Sequence, residues 1–131
     1  MPARAIRASR GLAPALLLAL LLASPALAAD RTAVQDVPCE PDPGLRLARD
    51  GTVSACRLAA AADLLVGPAA GNGPVACAGG ARAEFHRNGY LSFCDPAGAG
   101  ASYLTRSRLP TRCPSGARVA FDENGYLEYC S

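Results

Sequence analysis

Apolar and polar residues alternate with a period of two on either side of a short polar turn, and the chain does this three times. The middle instance runs Ala83-Glu84-Phe85-His86, then Arg87-Asn88-Gly89, then Tyr90-Leu91-Ser92-Phe93. Period-two alternation around Asn-Gly predicts a β-hairpin. A two-residue loop would set Phe85 against Ser92 and mix polar with apolar residues on both faces. A three-residue loop sets Phe85 against Leu91 and Ala83 against Phe93, with Glu84 against Ser92 and His86 against Tyr90. The same choice pairs Phe121 with Leu127 and Val119 with Tyr129, and Leu47 with Val53 and Leu45 with Ala55. A one-residue slip would reverse every face, so the segregating register is the predicted one. It requires a type I turn followed by a left-handed glycine, the G1 bulge, at Gly51, Gly89 and Gly125.

Each hairpin is framed by cysteines. The segments Cys39–Cys56, Cys77–Cys94 and Cys113–Cys130 each hold sixteen residues between the pair, whereas the connectors hold twenty and eighteen. A fixed unit on variable connectors marks a repeat array. The connectors contain strand-like runs at Asp63–Val66 and Ser102–Thr105, and Ala59–Ala62 also suits a short helix. Pro68 to Pro74 and Asp95 to Gly100 predict loops. Thr32–Pro38 resembles the tail of such a connector, so the pattern predicts about three strands per repeat, with the hairpins' apolar face covered either by connector strands around Leu64–Val66 and Tyr103–Leu104 or by a partner.

Residues 1–28 have the three parts of an export signal: Arg4, Arg7 and Arg10, an apolar run from Leu12 to Leu22, and small residues before Ala28. The run is too short for a spanning helix, so no membrane span is expected after cleavage. Residues 29–38 form a lead-in, and 39–130 one repeat domain. The 13 arginines and 11 acidic residues give +2 overall. Without the signal's three arginines the remainder carries ten basic and eleven acidic residues, a net −1. A near-neutral chain with no basic run lacks the electrostatic footprint of a nucleic-acid binder.

Only seven aromatic residues and much alanine make a thin core. Six evenly spaced cysteines in an exported chain therefore read as a disulfide framework. Bonds within repeats explain the constant spacing; bonds across the connectors would leave Cys39 and Cys130 to pair across the domain. In the predicted register Cys94 lies opposite Arg82, and Cys77 must fold back through Ala78-Gly79-Gly80 to reach it. No C-x-x-C pair exists and His86 is the single histidine, so neither metal nor cofactor is expected.

The run Phe-x-x-Asn-Gly-x-Leu, at Phe85–Leu91 and, with Glu123 inside it, at Phe121–Leu127, resembles MORN-type repeats, closest to the bacterial YwqK-like variant. Leu47–Val53 matches more loosely, and the framing cysteines depart from the common pattern. The resemblance implies β-hairpins stacked into an extended antiparallel sheet, with a binding or scaffolding role rather than catalysis.

Ser92, His86 and Glu84 are neighbours in the predicted register, but they stand parallel off one face without a pocket or oxyanion hole. The sequence thus describes an all-β, disulfide-stapled protein of the periplasm or exterior, non-enzymatic, acting by binding or by lending structure to the cell envelope. The alternative is a small secreted inhibitor or effector that docks a protein through an exposed loop such as Pro68–Pro74. The expected partner is a protein or envelope component, and self-association is an outcome of open sheet edges. Copy three places Phe121 and Tyr129 together on its predicted apolar face with no connector following, which makes that pair the expected partner surface.

Overall fold

The computed structural model describes residues 30–41, 43–68 and 71–131; the expected export signal and the first residue of the expected lead-in lie outside the described residues. Among those described there are twelve strands and no helix. Consecutive hairpins alternate between two layers. Three of them, β3–β4 (Arg46–Leu47, Val53–Arg57), β7–β8 (Arg82–Phe85, Leu91–Cys94) and β11–β12 (Val119–Phe121, Leu127–Cys130), join in one antiparallel sheet ordered β12-β11-β8-β7-β4-β3. The connectors fold as hairpins too: β1–β2 (Asp30–Arg31, Asp36–Val37), β5–β6 (Ala62–Leu64, Val75–Cys77) and β9–β10 (Ala101–Leu104, Pro110–Cys113). Each repeat is therefore four strands, not three, and Ala59–Ala62 enters β5 rather than a helix. The returning strands β6 and β10 escaped the period-two pattern because each is short and Pro110 opens one of them. Proline is tolerated there because that pair is a two-stranded ribbon with open edges.

Of the two expected covers, it is the connector hairpins that lie over the apolar face of the sheet. Val37, Leu64, Val66 and Val75 from the connectors share one core with Val53, Phe85, Leu91, Val119, Phe121 and Leu127 from the sheet. Tyr103 meets Phe121 edge to face, with ring centroids 5.3 Å apart. All three disulfides form within repeats, Cys39–Cys56, Cys77–Cys94 and Cys113–Cys130. Cys77 and Cys113 end the connector strands β6 and β10, so those two bonds staple one layer to the other.

The predicted register holds next to the turns and then shifts. Phe85 opposes Leu91, Phe121 opposes Leu127 and Leu47 opposes Val53. One residue further on, Glu84 opposes Phe93, Ala120 opposes Tyr129 and Arg46 opposes Ala55, in place of the predicted Ala83, Val119 and Leu45. A second bulge in each returning strand adds one residue there. Its effect is to bring the closing cysteine back to the inner face. Leu91 and Cys94 are both buried, with Ser92 and Phe93 between them partly exposed. Cys77 therefore need not reach across to a position opposite Arg82. Phe93 instead carries the Arg118 guanidinium 4.7 Å above its ring on the outer face.

A repeated amide clamp sets the stacking of units. Gln35 donates from Nε2 to the carbonyls of Leu65 (3.2 Å) and Gly89 (3.2 Å), and its Oε1 accepts from the Leu65 N–H (2.8 Å). Asn72 does the same one unit later, donating to Leu104 (3.0 Å) and Gly125 (2.9 Å) and accepting from the Leu104 N–H (2.8 Å). Each side chain thus ties one connector hairpin to the next connector and the next turn. Asn72→Leu strands three part-buried backbone groups and should cost about 3 kcal/mol. The urea midpoint should fall with an unchanged slope, whereas an unshifted midpoint would mean that the clamp follows the fold rather than supporting it.

Candidate functional site

The three turns are built alike. In each, the glycine N–H donates three residues back and the residue before the turn donates to the one after it: Gly89 to His86 and His86 to Tyr90, Gly125 to Asp122 and Asp122 to Tyr126, Gly51 to Ala48 and Ala48 to Thr52. The glycine φ values, +87° at Gly51, +91° at Gly89 and +93° at Gly125, are those of the expected G1 bulge. Within that common frame, hairpin two is bound sideways to hairpin three. The His86 Nε2–H donates to the Phe121 carbonyl (2.8 Å), and Asn88 Nδ2 donates to the Glu123 carbonyl (3.1 Å). Since a carbonyl only accepts, His86 carries its hydrogen on Nε2.

Hairpin one lacks both donors. Ala48 stands where His86 stands, and Asp50 where Asn88 stands. Neither can donate to the corresponding carbonyls of Phe85 and Arg87. Pairing of β4 with β7 stops at Ala55 and Glu84, the pair equivalent to Phe93 and Ala120 between β8 and β11, so the two joints differ in their side-chain bonds and not in their backbone ladders. A groove of about 690 Å³ opens at the first joint, with Ala48, Asp50, Thr52 and Val53 on one wall and Phe85 to Asn88 on the other. A second hollow of about 590 Å³ adjoins it around Arg49 and Arg87. The pair form a continuous recess at the joint between the first two repeats.

The recess has an apolar base and a polar, doubly signed rim. Phe85 and Val53 lie low in it, while Asp50, Arg87, Asn88 and Glu123 ring the groove. Asp50 accepts from the Thr52 hydroxyl (2.6 Å) and the Thr52 N–H (3.0 Å), which holds its carboxyl below the ordinary carboxylate range. It therefore presents a fixed negative charge at neutral pH. Such a lining suits recognition of an extended, mixed-polarity chain better than bond-making chemistry.

The structure places the other sequence-derived candidates elsewhere. His86 is spent on the Phe121 carbonyl, Glu84 is paired with Arg82 at 3.0 Å, and Ser92 lies in the bulge. The three do not assemble. All six cysteines are in disulfides, and among the described residues no group of three or more His, Cys, Asp or Glu is placed to hold a metal. Phe121 is 0% exposed, whereas Tyr129 is 54% exposed. The bulge after Leu127 turns Tyr129 to the outer face, so these two residues do not form one partner surface. What sequence reasoning missed is the groove, although its signal was present as two departures, Ala48 and Asp50, from the turn residues of copy two.

No helix among the described residues is long and apolar enough to cross a membrane. Comparison with protein-family models, with curated proteins and with solved structures finds nothing that matches this chain.

Proposed function

We propose that this is an exported, non-enzymatic repeat protein of the periplasm or exterior that binds a protein or envelope component in the groove between its first two hairpins. The observation that carries the proposal is the selective loss of lateral bonding at that joint. Where hairpins two and three are laced together at their turns by His86 and Asn88, the turns of hairpins one and two have Ala48 and Asp50 there and a groove between them. Stability has been given up at one joint, as is common where a surface serves binding. Three disulfides in a thin-cored chain and an apolar leader support export to an oxidising compartment. The binding role also follows the MORN-type resemblance of Phe85–Leu91 and Phe121–Leu127, which implies stacked hairpins of the kind joined in this sheet. The inhibitor alternative is the weaker one, because Asn72 ties the Pro68–Pro74 loop to Leu104 and Gly125.

The test is to close the groove. Ala48→His with Asp50→Asn installs both missing donors, and the introduced carboxamide oxygen still accepts from the Thr52 N–H, as that of Asn88 does from the Tyr90 N–H. Two new hydrogen bonds should raise stability by about 1–2 kcal/mol. The closed variant should lose the component that the oxidised wild-type protein captures from envelope extract, while Tyr129→Ser should keep it. Undiminished capture by a stabilised, closed variant would remove the groove as the binding site.

A further inference from the structure

The amide clamp leaves the two ends of the array unequal. Units two and three each receive an amide from the unit before, at Leu65 with Gly89 and at Leu104 with Gly125. Leu65 follows Leu64, which pairs with Val75; Arg31 follows Asp30, which pairs with Val37. Val75 and Val37 each stand two residues before their cysteine, so Arg31 and Gly51 are the corresponding positions of unit one. Thr32 donates to the Gln35 carbonyl at 2.9 Å, which puts Arg31 in the next, non-hydrogen-bonded pair. Its own N–H and C=O therefore point away from β2, and no side chain of the described residues reaches them.

Two further features mark the same face as open. A Cβ at Gly89 would come within 2.8 Å of the Ala33 nitrogen, and one at Gly125 within 2.9 Å of the Gly67 Cα, because a connector hairpin lies over each turn. A Cβ at Gly51 would meet nothing within 4 Å. Leu47 is the counterpart of Phe85 and Phe121. It is 56% exposed, whereas Phe85 is 7% and Phe121 0% exposed. Backbone groups, turn and apolar residue are all laid bare in unit one and all engaged in units two and three.

We propose that this open face of the first unit is a docking surface for the β-hairpin tip of a partner protein that presents an Asn or Gln side chain. The face continues an interface that the chain builds twice internally, and in both cases the occupant is such a tip. A primary amide is the side chain that offers a donor and an acceptor together, as the paired N–H and C=O require. A second copy of this chain does not supply one. Gln35 stands four residues before its cysteine and Asn72 five, and in unit three those positions are Leu109 and Arg108. Leu109 is 63% exposed, and neither side chain can accept and donate at once. The proposal does not depend on the groove, although Gly51 lies between Asp50 and Thr52 of the groove wall.

Leu109→Gln supplies the missing amide and makes a second copy the probe. In sedimentation equilibrium the wild-type protein should keep one molecular mass across concentrations. The Leu109→Gln chain should shift toward head-to-tail oligomers, because a tip-to-face contact is heterologous and does not close. Gly51→Asn adds a Cβ on the docking face with a residue that tolerates the left-handed region, and should return Leu109→Gln to monomer. Closure of all three disulfides checks folding in each variant. A folded Leu109→Gln chain that stays monomeric to about 1 mM, or oligomers that persist with Gly51→Asn present, would overturn the proposal.

Discussion

Gly125→Ala should unfold at a much lower denaturant concentration than Gly51→Ala, although the two glycines hold the same place in the same turn. Their φ values, +93° and +87°, are nearly equal, so the strain of placing an L-residue there is common to both. That strain costs about 1–2 kcal/mol. The difference lies in what the new methyl meets. At Gly125 it is driven into the backbone of Val66 and Gly67, at 2.9–3.1 Å, and at Gly51 into open space. Gly67 cannot retreat freely, since a Cβ on it would itself stand 2.5 Å from Gly125 and Asn124. Overpacking of this kind adds about 1–3 kcal/mol, so Gly125→Ala should cost about 2–5 kcal/mol in total. The check is the pair of urea midpoints. Equal midpoints would mean that the connector hairpin does not bear on the turn, and would undo the account of how successive units stack.

That stacking was only half readable from residues. Turn type, hairpin identity and disulfide partners follow from Asn-Gly or Asp-Gly, period-two alternation and constant cysteine spacing, all of which are local. The second bulge left a subtler trace. Val53 and Cys56, Leu91 and Cys94, and Leu127 and Cys130 are each three residues apart. An odd spacing sends two side chains to opposite faces of a regular strand. A buried residue and a buried disulfide at that spacing need one extra residue, and reading the strand as regular misassigned Tyr129 to the core. The clamp residues left less trace still. Gln35 and Asn72 differ in type and in distance from their cysteines, and they lie in connector hairpins of unequal length. Their equivalence exists only in what they touch, Leu65 with Gly89 and Leu104 with Gly125.

The groove belongs to a third kind of feature, visible as a difference but not as a shape. Copy one departs from copy two at Ala48 and Asp50, yet the sequence does not show which carbonyl the replaced residues would have reached. Lateral contacts between hairpins depend on sheet order, and sheet order is a long-range property. Once β4 is known to lie beside β7 and β8 beside β11, the loss of both donors at one joint becomes a structural opening.

Removing Cys77–Cys94 through Cys77→Ala with Cys94→Ala should cost more than removing either of the other two disulfides. The loop closed is the same in all three, 17 residues of separation, and the chain-entropy contribution is about 3 kcal/mol for each. Surroundings break the tie. Cys77 and Cys94 are both fully buried, whereas Cys39 and Cys130 are only partly so. Truncating the central pair also empties volume at the middle of the core, and that penalty adds to the entropic one. Unit two, moreover, receives one clamp from Gln35 and gives another through Asn72, so loosening its connector hairpin from β8 weakens both joints. Against a typical domain stability of about 5–15 kcal/mol, the central variant should be largely unfolded at 37 °C while the Cys39→Ala, Cys56→Ala variant retains a cooperative transition. Circular dichroism melts of the three double variants decide it. If the central variant melts with the others, the units are stabilised one by one, and the clamps do not couple them.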